Sequence, residues 1–191
     1  GYDGNVLVVP GDVPLLSVSA IQNLVREHET HGYAATVLTM VVDDPAEYGR
    51  IVRDPSGRVR SIVEYRDASD EIRAVREVNT SVYCFNSHYL FSALPLLSND
   101  NQQGEYYLTD VISILISRDV PVGAVALDDA SEGMGINSRA ELARAEQAMR
   151  DRKRQELMED GVTLVDPAST FIDTQVKIGR DTVIMPFTVI S

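Results

Sequence analysis

The chain has a single cysteine, Cys84, among 191 residues. One thiol excludes an internal disulfide and a zinc site built on several cysteines. Within Val82-Tyr83-Cys84-Phe85 it reads as a core strand residue. Basic residues are also scarce: 17 Lys and Arg stand against 29 Asp and Glu, for a formal charge of −12. So acidic a chain is not a general nucleic-acid or anionic-membrane surface, although a local basic cleft for a phosphorylated small molecule stays open. No run is long or apolar enough to span a bilayer, and no signal peptide opens the sequence. A cytoplasmic protein is the simplest expectation. A Gly-rich phosphate cradle is absent throughout. The three histidines, His28, His31 and His88, fall in helical segments expected at the surface, with no Ser or Cys motif beside them. A protein nucleophile is therefore not supported.

What is present is an ordinary globular composition, 44% hydrophobic and 24% charged, sufficient for one core or one domain with the start of another. Asn5-Val6-Leu7-Val8-Val9 runs into Pro10-Gly11-Asp12-Val13-Pro14-Leu15. The apolar run predicts a strand of a parallel sheet, buried on both faces. Ligands of open α/β sheets bind at the carboxyl ends of strands, so Asp12 puts a hard oxygen ligand at the mouth of a candidate site. A carboxylate there suits Mg²⁺, while the same Gly-Asp pair also reads as a plain turn.

Residues 18–31 carry Ile21, Leu24 and Val25 at helical spacing, with a Ser before them and Gly32 after as a C-cap. Residues 34–42 follow as a strand, giving strand, helix, strand and a parallel βαβ unit. Residues 50–53 and 58–64 flank Asp54-Pro55-Ser56-Gly57, a type I turn sequence, and predict a hairpin that makes the sheet mixed. Helices are expected at 87–97 and 109–117, a strand at 121–127, and a long helix from 138 to about 159. The basic stretch Arg150-Asp151-Arg152-Lys153-Arg154 reads as a solvated helix face, since acids are interleaved.

The period then changes. Ile172, Ile178, Ile184 and Ile190 recur every sixth residue, with Val183 and Val189 before the last two. A period of six fits neither a helix nor a flat strand. It fits a hexapeptide β-helix, in which each side of a triangular coil turns one apolar side chain inward. Barely more than one coil is present, and about three are needed for stability, so this end reads as truncated or as borrowing a neighbour.

The order of segments resembles the bifunctional N-acetylglucosamine-1-phosphate uridyltransferase / glucosamine-1-phosphate acetyltransferase family. The matching stretches begin with Gly11-Asp12-Val13-Pro14-Leu15, Glu47-Tyr48-Gly49-Arg50-Ile51-Val52-Arg53 and Ile62-Val63-Glu64. They continue with Glu77-Val78-Asn79-Thr80, Gly104-Glu105-Tyr106-Tyr107-Leu108-Thr109-Asp110, Gly135-Ile136-Asn137-Ser138-Arg139 and Gly161-Val162-Thr163-Leu164-Val165-Asp166-Pro167. The resemblance implies an α/β fold: an incomplete Rossmann-like nucleotidyltransferase mixed sheet at 1–137, a linker helix at 138–160, and the first coil of a left-handed hexapeptide β-helix at 161–191. The family's N-terminal Gly-rich loop and most of its β-helix are not in the sequence, which therefore looks like the middle of a larger enzyme.

The same resemblance implies that Asp12 and Asn137 hold the catalytic Mg²⁺, and that Gly49, Glu64, Asn79, Tyr107 and Thr109 hold the N-acetylglucosamine moiety. Read alone, Asn137 is a helix N-cap region residue, Tyr107 a core residue and Thr109 a helix cap. The implied reaction is Mg²⁺-dependent transfer of UMP from UTP to N-acetylglucosamine 1-phosphate, giving UDP-N-acetylglucosamine and pyrophosphate. The 191 residues alone are expected to be inactive and monomeric, and the full-length protein a homotrimer, with no nucleic-acid or membrane partner. A glucose 1-phosphate nucleotidyltransferase and a catalytically silent binding or assembly module are the competing readings.

Overall fold

Residues 2–191 are described by the computed structural model. They divide into two units, the first ending at Gly135 and the second beginning at Ile136. In chain order the first contains β1 (Asn5–Val8), α1 (Val18–His31), β2 (Ala35–Val41), β3 (Arg50–Arg53), β4 (Val59–Val63) and a one-turn α2 (Asp70–Arg73). It continues with β5 (Glu77–Asn86), α3 (Ser87–Ala93), α4 (Asp110–Ser117) and β6 (Val122–Ala126).

The six strands form one mixed sheet in the order β4-β3-β5-β2-β6, with β1 also on β5. β5 is long enough to take two neighbours on one edge. Its later half pairs with β1, Tyr83 opposite Val8, and its earlier half meets β3, Val78 opposite Arg50. On the other edge lies β2, which in turn pairs parallel with β6. β1 and β2 therefore run the same way, as the βαβ reading requires, but β5 lies between them and antiparallel to both.

This corrects the expected character of the first strand. β1 is not buried on both faces: Leu7 is 40% exposed, while Val6 and Val8 pack against the core. That is the alternation of a strand covered on one face. Leu7 faces the other side, where α1 does not cover it.

Local chemistry fixes the helix ends. The Ser17 Oγ accepts from the Ala20 N–H at 3.1 Å, and Gly32 closes α1 in the left-handed conformation (φ 61°). The sheet is covered on both faces. Leu24 of α1 packs with Leu38, Val82 and Cys84 on one side, and Leu90, Ala93, Val111, Ile112 and Leu115 of α3 and α4 meet Val37, Tyr83 and Phe85 on the other. His28 belongs to this interior and not to the surface. It is 2% exposed and its Nδ1 lies 2.9 Å from the Thr36 Oγ1. Burial lowers its pKa, which favours the neutral imidazole.

The second unit is α5 (Arg139–Glu159) followed by four two-residue strands, β7 (Thr163–Leu164), β8 (Phe171–Ile172), β9 (Val183–Ile184) and β10 (Val189–Ile190). They pair in parallel, β7 with β9 and β8 with β10. Ile172 lies opposite Ile190, three six-residue steps along the chain. Leu157 of α5 is buried with Val162, Leu164 and Ile172, and Ile178, Ile184 and Ile190 pack against them. The basic stretch is not a solvated face. Lys153 and Arg154 are buried, Arg154 donates to the Thr170 carbonyl at 3.1 Å, and the Arg150 guanidinium lies over the Phe171 ring. Long side chains cover apolar surface with their stems while their heads find polar partners.

Candidate functional site

The carboxyl ends of β1, β2 and β6 lie along one edge of the sheet, and β5, running the other way, begins there. Asn79, near the start of β5, is buried at the stretch alongside which β1 has ended. Its backbone N–H donates to the Gly49 carbonyl at 2.8 Å. Its side chain bridges an irregularity in the strand: Oδ1 accepts from the Ser81 N–H at 3.0 Å and Nδ2 donates to the Tyr83 hydroxyl at 2.7 Å. Ser81 sits at φ 62°, and the β2 register shifts opposite it. Such bulges re-aim side chains beside functional sites. An amide has two donor and two acceptor positions, so one of each stays open.

Gly49 precedes β3 and is packed against Glu64 at the end of β4. A Cβ placed on Gly49 would lie 3.3 Å from both Glu64 carboxylate oxygens and from the Ile62 Cγ2. A side chain at Gly49 would press on the Glu64 carboxylate, and its absence lets backbone and carboxylate approach closely. The Thr109 hydroxyl donates to the Glu64 Oε1 at 3.1 Å and does not cap α4. Burial pushes the Glu64 pKa up; the Thr109 hydrogen bond opposes this, and Asp110 and Asp67 add to it.

Glu64, Tyr107 and Thr109 line one cavity of about 310 Å³ together with Asp67 and Asp110. The Tyr107 hydroxyl is shut off from solvent without a hydrogen-bond partner. Burial also raises the Asp110 pKa, with Asp67 adding to the effect. The structure thus brings the five residues Gly49, Glu64, Asn79, Tyr107 and Thr109 together through contacts and a shared cavity. The cavity wall is rich in carboxylates and carries the Thr109 hydroxyl, while the Asn79 amide lies behind it, reached through Gly49.

Asp12 is exposed on the loop after β1, and Asn137 is exposed at the start of the second unit. Ser138 caps α5, its Oγ accepting from the Glu141 N–H, while the Asn137 backbone N–H donates to the Glu141 carboxylate. That leaves the Asn137 side chain uncommitted. Both side chains offer the hard oxygens Mg²⁺ takes. Among the described residues no group of three His, Cys, Asp or Glu could hold a metal, but Mg²⁺ in phosphate chemistry takes one or two protein ligands with phosphate oxygens supplying the rest. The donor chemistry fits. No helix of the described residues is long and apolar enough to cross a membrane.

Sequence reasoning missed Arg50. It is 2% exposed, and its guanidinium donates to backbone carbonyls alone: Arg73 from Nε, Pro45 and Tyr48 from Nη1, and Ala46 from Nη2. The available signal was a charged residue opening the apolar strand Ile51-Val52 next to Gly49.

The model of the nucleotidyl transferase family matches residues 1–136. The chain belongs to the nucleotidyl transferase family. It is similar to the bifunctional protein GlmU of Geobacillus sp. (strain WCH70), 51% identical over 188 residues, which are 98% of this chain and 41% of that protein. The bifunctional protein GlmU of Pelotomaculum thermopropionicum is 48% identical over the same shares, and that of Limosilactobacillus reuteri 49% identical over 95% of this chain and 40% of its own length. The chain thus spans about two fifths of the length of the curated relatives it matches. A putative glucose-1-phosphate thymidylyltransferase from Bacillus anthracis shares the nucleotidyl transferase fold at a TM-score of 0.54 and 22% identity, over 79% of this chain and 56% of that one.

Proposed function

We propose that this nucleotidyl transferase chain is the sugar-recognising part of an enzyme that transfers UMP from UTP to N-acetylglucosamine 1-phosphate, releasing pyrophosphate. The observation that carries the reading is the single contact network joining Gly49, Asn79, Glu64 and Thr109 beside the cavity that Tyr107 lines. Ionised Glu64 accepts from sugar hydroxyls, and Asn79 supplies one donor and one acceptor. The close-packed Gly49 backbone shapes the wall against which the sugar lies. The acidic wall turns the anionic phosphate away from the cavity, which orients the ligand.

In the reaction a non-bridging oxygen of the sugar phosphate attacks the α-phosphorus of UTP. The bond from that phosphorus to the β-phosphate oxygen breaks, and pyrophosphate leaves with the electron pair. No protein nucleophile or base is required. Asp12 and Asn137 are the residues that would hold Mg²⁺, whose charge offsets that of the reacting phosphates. The six-residue repeat and the parallel pairing of Ile172 with Ile190 support reading residues 161–191 as the first coil of a left-handed hexapeptide β-helix, with the full-length protein a homotrimer.

The test is a titration of the chain with N-acetylglucosamine 1-phosphate followed by amide chemical shifts. The amides of Gly49, Glu64, Asn79 and Thr109 should move at millimolar ligand. Invariant shifts at all four would overturn the sugar-site reading.

A further inference from the structure

We propose that Tyr48 is a positioning residue that ties the chain entering Asn137 to the loop presenting Gly49, so that a sugar bound at Gly49 is felt at Gly135. The proposal rests on the sugar-site reading above. Its physical basis is a loop held rigid from beneath. Ala46 sits at φ 41°, in the left-handed region that a non-glycine residue adopts at a cost. Two groups hold it there: the Asp44 carboxylate accepts the Ala46 N–H at 3.1 Å, and Arg50 donates to the Ala46 carbonyl at 2.8 Å. Arg50 places its remaining hydrogen bonds on the carbonyls of Pro45, Tyr48 and Arg73, so four of its five N–H groups are held by backbone. It fixes the loop that leads into Gly49.

From this loop the Tyr48 hydroxyl accepts the Gly135 N–H at 3.1 Å. The strap ending at Gly135 has a second anchor. A Cβ on Gly133 would lie 2.7 Å from the Thr80 Cγ2, 2.9 Å from the Leu127 Cδ1 and 3.0 Å from the Met40 Sδ, so the strap backbone lies directly on the sheet beside Asn79. Residues 133–135 are therefore pinned to both elements of the sugar site, β5 at one end and the Gly49 loop at the other. Asn137 follows two residues on along the chain. A shift of the Gly49 loop on sugar binding passes to Gly135 through one hydrogen bond, and the reverse coupling follows by linkage.

The experiment uses the whole chain, wild type and Tyr48→Phe, which keeps the ring and removes the acceptor. With N-acetylglucosamine, free of phosphate, as the probe, the wild-type Gly49, Glu64 and Asn79 amides shift and the Gly135 amide shifts with them. In Tyr48→Phe the first three still shift and the Gly135 response is lost. Without ligand, hydrogen exchange at Gly135 quickens in the variant by about two- to tenfold, the weight of one neutral hydrogen bond, while the exchange of core amides such as Val37 and Phe85 does not change. A Gly135 amide that stays still in wild type while Gly49 moves, or that moves equally in the variant, overturns the coupling. Unchanged exchange at Gly135 in the variant overturns the tether. If Gly49, Glu64 and Asn79 themselves do not move in wild type, the sugar reading fails and the coupling with it, while the exchange measurement still decides the tether.

Discussion

Replacing Glu64 by Gln should separate ligand binding from stability. Burial holds the Glu64 pKa above the usual carboxylate range, against the hydrogen bond from Thr109. In the folded chain this carboxyl keeps its proton more tightly than in the unfolded chain. Its contribution to stability is therefore fully present below the unfolded pKa and is lost as the pH rises through the folded one. The ionised form of this half-buried carboxylate is thus less favourable in the folded chain than in the unfolded one. Glutamine keeps the volume and an oxygen for the Thr109 hydroxyl to donate to, and removes the charge. The melting temperature of Glu64→Gln at pH 7 should equal or exceed that of wild type, and the difference should shrink as the pH falls to 4. Binding should move the other way. A hydrogen bond to a charged acceptor is worth about 1.5–3 kcal/mol, so the affinity for N-acetylglucosamine 1-phosphate should fall by about ten- to a hundredfold. Thermal melts at the two pH values and an amide-shift titration measure both effects. A variant that binds as tightly as wild type would remove Glu64 from the site, and one that melts well below it at pH 7 would make the carboxylate structural.

Two further substitutions test the scaffold. Leu157→Ala removes the α5 side chain buried with Val162, Leu164 and Ile172 and should cost about 2–5 kcal/mol, seen as lost exchange protection at Leu164 and Ile172; a loss under about 1 kcal/mol would show that α5 is not what orders the coil. The Asp54 pKa is lowered to about 2, first by the Ser56 hydroxyl and then by hydrogen bonds from Arg58 and the Ser56 backbone, so its stabilisation is present above the unfolded carboxylate pKa and lost as the pH falls toward 2. Asp54→Asn should flatten the fall of melting temperature between pH 5 and pH 2, and a profile that superimposes on wild type would refute the assignment.

Direction along the chain was more legible than neighbourhood across the sheet. Strand, helix, strand at 5–41 sets β1 and β2 running the same way, because a helix between them returns the chain to its starting edge. That β5 inserts between them depends on pairing residues far apart in the chain, from Val41 with Glu77 to Asn5 with Asn86, which no local pattern states. The burial of His28 was legible in principle, since it continues the stripe of Ile21, Leu24 and Val25 by one further turn; its polarity concealed the pattern, and Thr36 on the facing strand is what makes the burial tolerable. Arg150, Lys153, Arg154 and Leu157 likewise share a stripe of α5. Charge patterning marked the first three as solvated, yet their stems line the helix face that packs on the coil.

The candidate site came from a different source. Spacing alone gave no reason to group Gly49 with Asn79 or Glu64 with Thr109, which lie on four separate elements; resemblance grouped them, and the contacts found here give the grouping a physical basis. The division of labour also follows from charge. The cavity at Glu64 is lined by acids, and the buried cation nearest to it in sequence, Arg50, has its hydrogen bonds on carbonyls. A surface of this charge favours hydroxyl donors over a phosphate. Asp12 and Asn137, the residues proposed to hold the cation, lie on loops and do not line this cavity. On the proposed reading the neutral ring and the charged phosphates are met by different residues, and the Tyr48–Gly135 hydrogen bond joins the Gly49 loop to the chain that enters Asn137.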